Sequence, residues 1–206
     1  MKELLITIVI GYALGNIQAA YIFGKIFYKV DIRTLGHGNA GTSNALSSVG
    51  VKLGAAVAIV DVLKGLLAVL ITQWLFKATL STQPLLLYIS GVSAMLGHIF
   101  PFYMHFKGGK GTATYLGAML AMSPMLGVIS IVFLLLLTYI TDYIALSTMV
   151  LMSLIAVISF IEVGPLEGVI ASLVLLSSMV MHRKNFARMK DDTEGRLSHV
   201  LQKKKG

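Results

Sequence analysis

The chain alternates long apolar runs with short polar ones, and the apolar runs have the length of a bilayer. Residues 4–24, 51–76, 84–104, 143–161 and 164–181 are each almost free of charge, and a spanning helix needs about 20 such residues. A sixth run, 112–140, is too long for one span. Ser123, Pro124 and Gly127 interrupt it near the middle, so it reads as two short helices, 112–122 and 126–140, each dipping partway. Pro84 and Pro165 stand where helices begin, a position that tolerates the missing N–H. The pattern predicts an all-α integral membrane protein of about seven transmembrane helices, forming a single membrane domain over residues 1–206. The first run lacks a small-residue cleavage site and reads as an anchor, not a removed signal.

Charge fixes an orientation. With Lys52 counted at the edge of the first loop, fourteen of the seventeen Lys and Arg fall in 25–52, 105–111 and the tail after 181. Cytoplasmic loops carry such an excess. The N-terminus is therefore expected outside and the C-terminus in the cytosol, followed from 182 to 206 by a basic tail ending in Lys203–Lys205. Trp74 and Tyr103, near span ends, read as interfacial anchors.

Composition agrees. Of 206 residues 56% are hydrophobic and 13% charged, with mean hydropathy +0.83; a soluble domain of this length could not hide that much apolar surface. The absence of cysteine excludes disulfides, thiolate metal sites and a cysteine nucleophile. The net charge of +8 attracts anions such as phosphate or acidic lipid. No nucleic-acid module is visible among these short loops.

Three polar segments carry candidate chemistry. The first, Asp31 to Asn44, contains Gly36-x-Gly38-x-x-Gly41. A dinucleotide fingerprint needs a strand and a βαβ unit, and this segment joins two membrane helices. Its glycines still let backbone N–H groups approach an anion closely, and His37, Gly38, Asn39, Gly41, Ser43 and Asn44 are expected to bind substrate or phosphate. An ordinary tight turn is the plain alternative. The second, Lys107-Gly108-Gly109-Lys110-Gly111, precedes a helix start. It is not a Walker A loop, yet glycines, lysines and a helix N-terminus together suit phosphate; the alternative is a flexible basic loop. The third is His182, Asn185 and Arg188 with Glu194. The first three share roughly one side if the last helix continues past the membrane, or else belong to a solvated basic segment against acidic lipid. Asp61 lies mid-helix, where charge is costly, and Lys64 on the same face offers an ion-pair partner. His98 reads as a packed, hydrogen-bonded histidine.

Together these residues resemble the bacterial acyl-phosphate:glycerol-3-phosphate acyltransferase family. The resemblance runs through Asp31-Ile-Arg33, Gly38-Asn39, Gly41, Asn44, Asp61-Val-Leu-Lys-Gly65, Leu96-Gly-His-Ile-Phe-Pro101, Phe106 to Gly111 with Ala113-Thr114, and His182-Arg183, Asn185, Arg188 and Glu194. It implies a seven-helix fold in the bacterial cell membrane, a cytosolic site, no cofactor, no metal and no covalent enzyme intermediate. It further implies glycerol 3-phosphate and acyl phosphate as reactants, membrane lipid as surroundings, and His182 and Asn185 as catalytic residues. The chain departs from the family pattern at His37 (serine in the family), Ser47 (arginine), Gln18 (proline), Asp192 (glycine) and Thr42-Ser43. The changes at 37 and 47 raise two alternatives, a different acceptor or precursor binding without turnover. A small transporter is a third reading, which calls for an external polar cluster around Lys77, Ser81 and Glu162. No histidine has an aspartate five residues later, unlike acyltransferases built on that pair.

Overall fold

The computed structural model describes residues 1–202; the Lys203–Lys205 run lies outside the described residues. Every regular element among those residues is helical: α1 (Lys2–Gly15), α2 (Ala19–Phe27), α3 (Thr42–Ser48), α4 (Val51–Phe76), α5 (Pro84–Ile99), α6 (Thr112–Met122), α7 (Pro124–Thr141), α8 (Ile144–Glu162), α9 (Pro165–Lys190) and α10 (Leu197–Gln202). Six stretches are long and apolar enough to cross a membrane: Lys2–Phe27, Val51–Phe76, Pro84–Met104, Pro124–Thr141, Ile144–Glu162 and Pro165–Lys190. The expected seventh, Thr112–Met122, has 11 residues and so reaches only about 16 Å, roughly half the hydrocarbon thickness. The break expected within 112–140 falls at Ser123, just before Pro124.

The chain forms two compact units, Met1–Gly127 and Val128–Gly206. In the first, α1 packs on α5 and α4 on α6 through small residues. A Cβ at Gly15 would lie 2.1 Å from Ala94 O, and one at Gly97 2.3 Å from Tyr12 O. Close backbone approach of this kind is how helices associate where lipid competes for apolar side chains. Leu5, Ile59, Trp74 and Leu70 point outward, well exposed, as the side facing lipid must.

The first span differs from the continuous helix expected over 4–24, because it breaks between Gly15 and Ala19. A broken helix within a membrane needs partners for its freed backbone groups, and here side chains supply them. Asn16 donates from Nδ2 to Tyr12 O at 2.6 Å and accepts from Phe102 N at 3.0 Å. Gln18, fully buried, donates from Nε2 to His98 O at 3.0 Å and Gly15 O at 3.3 Å. Lys64 Nζ donates to Ile17 O at 2.7 Å.

In the second unit α8 and α9 pack together, and Gly168 lets the Phe160 ring approach to where a Cβ would be only 2.2 Å away. Helix α9 runs nine residues beyond the expected end at 181, to Lys190, so His182 through Arg188 are helical. Asp192, where the family pattern has glycine, takes a left-handed φ of +56°, the conformation that closes helices and that Asp tolerates better than most residues. The chain then returns to the α7–α8 turn. Asp142 accepts from Ser198 N at 2.7 Å and Ser198 Oγ at 2.6 Å. Burial would raise the Asp142 carboxyl, but those two hydrogen bonds and the charges of Arg196 and His199 outweigh it and hold it below its ordinary value.

That shift has a consequence for pH. A carboxylate with a depressed folded value stabilises the docked state above its unfolded value near 3.9, and the contribution is lost as pH falls through the lowered one. A spin label on Val200→Cys, unique in a cysteine-free chain, should be immobilised at pH 7 and gain mobility only below about pH 4. In an Asp142→Ala background it should be mobile throughout.

Candidate functional site

Two glycine-rich loops lie side by side at one end of the first unit. Ala40 N donates to Gly108 O at 3.3 Å, and a Cβ at Gly41 would sit 3.6 Å from Gly109 Cα and 4.0 Å from Lys110 N. The segments are about 70 residues apart in sequence, and the fold brings their backbones into contact.

The first loop is organised by Asn44. Its side chain is fully buried, and Nδ2 is within hydrogen-bond distance of Ile32 O (2.9 Å), Asn39 O (2.9 Å) and Leu35 O (3.1 Å). Oδ1 accepts from His37 N at 2.7 Å and Ser48 Oγ at 3.3 Å. One amide therefore closes the whole loop, and its polar atoms are spent on the chain itself. Gly36 and Gly38 take left-handed φ of +51° and +72°; at Gly36 a side chain would also meet Ser48 Oγ at 2.2 Å. Upstream, Asp31 accepts from Arg33 through Nε at 3.0 Å and Nη2 at 2.8 Å, and the Arg33 guanidinium holds that carboxyl below its ordinary value. Arg33 also stacks over Tyr21 at 5.0 Å. Asn39, Ser43 and His37 are half-buried and Ser47 is exposed.

The second loop folds back along the end of α5. His105 and Phe106 adopt left-handed φ of +54° and +57°, an arrangement that costs of order 1–3 kcal/mol per residue and persists where the surroundings impose it. The reversal lets Gly108 N donate to Ile99 O at 3.0 Å and Gly109 N to His98 O at 3.1 Å. Lys107 is exposed and Lys110 half-buried, and Gly111, with φ +86°, leads into α6. The N–H groups of the first turn of α6 thus follow directly on Lys110.

Beneath both loops lies a buried charged cluster. Lys64 Nζ is 2.9 Å from Asp61 Oδ1 and 2.6 Å from His98 Nδ1, and Thr42 Oγ1 donates to Asp61 Oδ2 at 3.5 Å. The pairing of Asp61 with Lys64 and the packed state of His98 are as the sequence led us to expect. Their union, across 34 residues between Lys64 and His98, is not visible in spacing.

In the second unit, His182 and Asn185 are buried and Arg188 half-buried on the extension of α9. His182 Nδ1 lies 2.9 Å from Ser178 O. A carbonyl only accepts, so this bond places the proton on Nδ1 and a lone pair on Nε2. Glu194, buried beyond the end of α9, accepts from Asn185 Nδ2 at 2.6 Å and Arg188 Nε at 2.7 Å. The carboxylate so fixes amide and guanidinium together, and its own oxygens are occupied. Among the described residues no group of three His, Asp or Glu side chains is placed to hold a metal ion.

Six helical stretches long and apolar enough to span define a multi-pass membrane protein, with paired glycine loops carrying lysines in its first unit and a histidine–amide–guanidinium set on one helix of its second. The glycerol-3-phosphate acyltransferase family profile matches residues 5–192, and the chain belongs to that family. It is 36% identical over 193 residues to glycerol-3-phosphate acyltransferase 2 of Bacillus anthracis, covering 94% of this chain and 98% of that one. It is 38% identical over 194 residues to the glycerol-3-phosphate acyltransferase of Clostridioides difficile, covering 94% and 95%. The crystal structure of PlsY, an integral membrane glycerol 3-phosphate acyltransferase, in its glycerol 3-phosphate form superposes with TM-score 0.85 at 29% identity, covering 96% of this chain and 98% of that one. The lysophosphatidic acid form of PlsY gives 0.80 at 28% identity, with the same coverage.

Proposed function

We propose that this protein transfers a fatty acyl group from acyl phosphate to the 1-hydroxyl of glycerol 3-phosphate, giving lysophosphatidic acid and inorganic phosphate, as a step of phospholipid synthesis. The observation that carries this reading is the contact of the two glycine loops, with Lys110 between one of them and a helix N-terminus, in a chain of this family. The related PlsY structures, in glycerol 3-phosphate and lysophosphatidic acid forms, support the acceptor and the product. The reaction runs on the cytosolic side of a bacterial cell membrane, with the N-terminus outside.

An acyl phosphate is a mixed anhydride and already activated, so the enzyme needs no nucleophile of its own. The acceptor hydroxyl attacks the carbonyl carbon, the bond from that carbon to the phosphate oxygen breaks, and phosphate leaves. The hydroxyl proton passes to His182 Nε2 or to a phosphate oxygen. Asn185, Arg188 and their clamp Glu194 orient the acceptor. Lys107, Lys110, Asn39, Ser43, His37 and the glycine backbones of 38, 41, 108, 109 and 111 hold phosphate and oppose the charge that develops as it departs. Asn44 serves by closing the loop.

Of the external cluster Lys77, Ser81 and Glu162 that a transporter calls for, Ser81 belongs to a turn after α4. Thr79 Oγ1 is bonded to Ser81 Oγ at 3.0 Å and to Thr82 Oγ1 at 2.9 Å, within one exposed turn.

The test is product identity. Purified protein in lipid nanodiscs, given palmitoyl phosphate and glycerol 3-phosphate, should yield 1-palmitoyl lysophosphatidic acid by mass spectrometry, and absence of that product would refute the proposal. The exposed Ser47 offers a second check. Ser47→Arg adds a guanidinium beside the first loop and should lower the KM for glycerol 3-phosphate by about tenfold or more, since a charge-assisted hydrogen bond contributes about 1.5–3 kcal/mol.

A further inference from the structure

We propose that Asp61, Lys64 and His98 form a positioning device that sets the backbone of the 105–111 loop for phosphate. The inference rests on reading that loop as a phosphate cradle and adds residues from two buried helices to it. Lys64 Nζ donates to Ile17 O at 2.7 Å, lies 2.6 Å from His98 Nδ1 and forms an ion pair with Asp61 Oδ1 at 2.9 Å; that carboxylate oxygen is also 3.4 Å from His98 Nδ1. An ammonium can only donate, so across the shorter of its two contacts His98 Nδ1 accepts from Lys64, with the imidazole proton on Nε2 and the ring held about its axis. The locked ring is pressed against the loop, since a Cβ at Gly109 would lie 2.0 Å from His98 Nε2 and 2.8 Å from Cε1.

The same residue grips the loop by its backbone. His98 O accepts from Gly109 N at 3.1 Å and from Gln18 Nε2 at 3.0 Å. Asp61 reaches the other loop through Thr42. A simple ion pair inside a membrane helix would need Asp61 and Lys64 alone, with the cost of burial as its only consequence. Here the pair is extended by a ring whose far edge occupies the space that glycine leaves at position 109. These three residues touch no substrate; they act through Gly109 on its neighbour Lys110, the cation of the cradle.

The experiment measures equilibrium binding of radiolabelled inorganic phosphate and, in parallel, acyl transfer, on full-length protein in nanodiscs. His98→Ala and His98→Gln should weaken phosphate binding tenfold or more. His98→Asn, whose Oδ1 stands where Nδ1 stood and can still accept from Lys64, should recover binding to within about threefold, whereas a requirement for bulk alone would favour Gln. Gly109→Ala expels the ring from its seat and should match His98→Ala, with no additional loss in the double variant, as expected for two changes to one contact. Where His98→Ala fails to fold, His98→Asn against His98→Gln carries the comparison. Phosphate affinity unchanged in a folded His98→Ala protein, or equal in the Asn and Gln variants, would overturn the role of the cluster. A wild type that binds phosphate but transfers no acyl group would overturn the reaction while leaving the cluster to be judged by its variants.

Discussion

Replacing His182 by alanine should lower kcat for acyl transfer by about 10²–10⁴-fold, the usual contribution of a positioned general base. The size follows from how the ring is held. It is 3% exposed, tied through Nδ1 to Ser178 O of its own helix, and its basic nitrogen is therefore Nε2. Ser178 Oγ also lies 3.3 Å from Nδ1, a longer contact than the one to the backbone carbonyl, so Ser178→Ala should lower activity by less than His182→Ala does. Steady-state kinetics with saturating palmitoyl phosphate decide the point. A fall of less than tenfold would assign the proton to the substrate's own phosphate oxygen and leave His182 an orienting role.

Gly65→Ala should destabilise the protein although alanine is the better helix former. The propensity gain is about 1 kcal/mol, but a Cβ at Gly65 would stand 1.8 Å from Thr114 O and 2.8 Å from Thr114 C. Those are backbone atoms of α6 and cannot turn aside as a side chain would. The arrangement is reciprocal, because a Cβ at Gly117 would stand 1.9 Å from Val62 O. Overpacking costs about 1–3 kcal/mol when side chains can shift, more when they cannot, so we expect a net loss of about 2–4 kcal/mol and a Tm lowered by roughly 5–15 °C in detergent. Because α6 begins directly after Lys110 and Gly111, any relief by moving α6 carries the cradle with it, and activity should fall further than stability alone requires. A Tm equal to or above wild type would contradict the packing described for α4 and α6.

Much of this architecture was legible in the chain because lipid imposes a simple rule: apolar runs of bilayer length must be helices. The runs at 51–76 and 84–104 and the break before Pro124 follow from it. The rule averages over windows, and so it passed across Asn16 and Gln18, whose amides stitch a broken first span to α5. It also could not see that α3 forms at Thr42 directly behind the glycines, where the Asn44 amide lies within hydrogen-bond distance of three carbonyls of its own loop. Individual polar residues were legible and their partnerships were not. Asp61 with Lys64 could be found from a three-residue spacing; His98 joins them only because α4 and α5 pack together. For Asn44 and Glu194, residue type suggested ligand contact, whereas the structure commits their polar atoms to other residues of the chain.

In the proposed reaction, the glycine-rich loops carrying Lys110 and the helix carrying His182 serve one acyl transfer. Phosphate release from palmitoyl phosphate, measured in vesicles with and without glycerol 3-phosphate, tests it directly. The account predicts acceptor-dependent release in wild type, lost by a hundredfold or more in both Lys110→Ala and His182→Ala proteins that remain folded. Release independent of glycerol 3-phosphate, or undiminished in either variant, would contradict it.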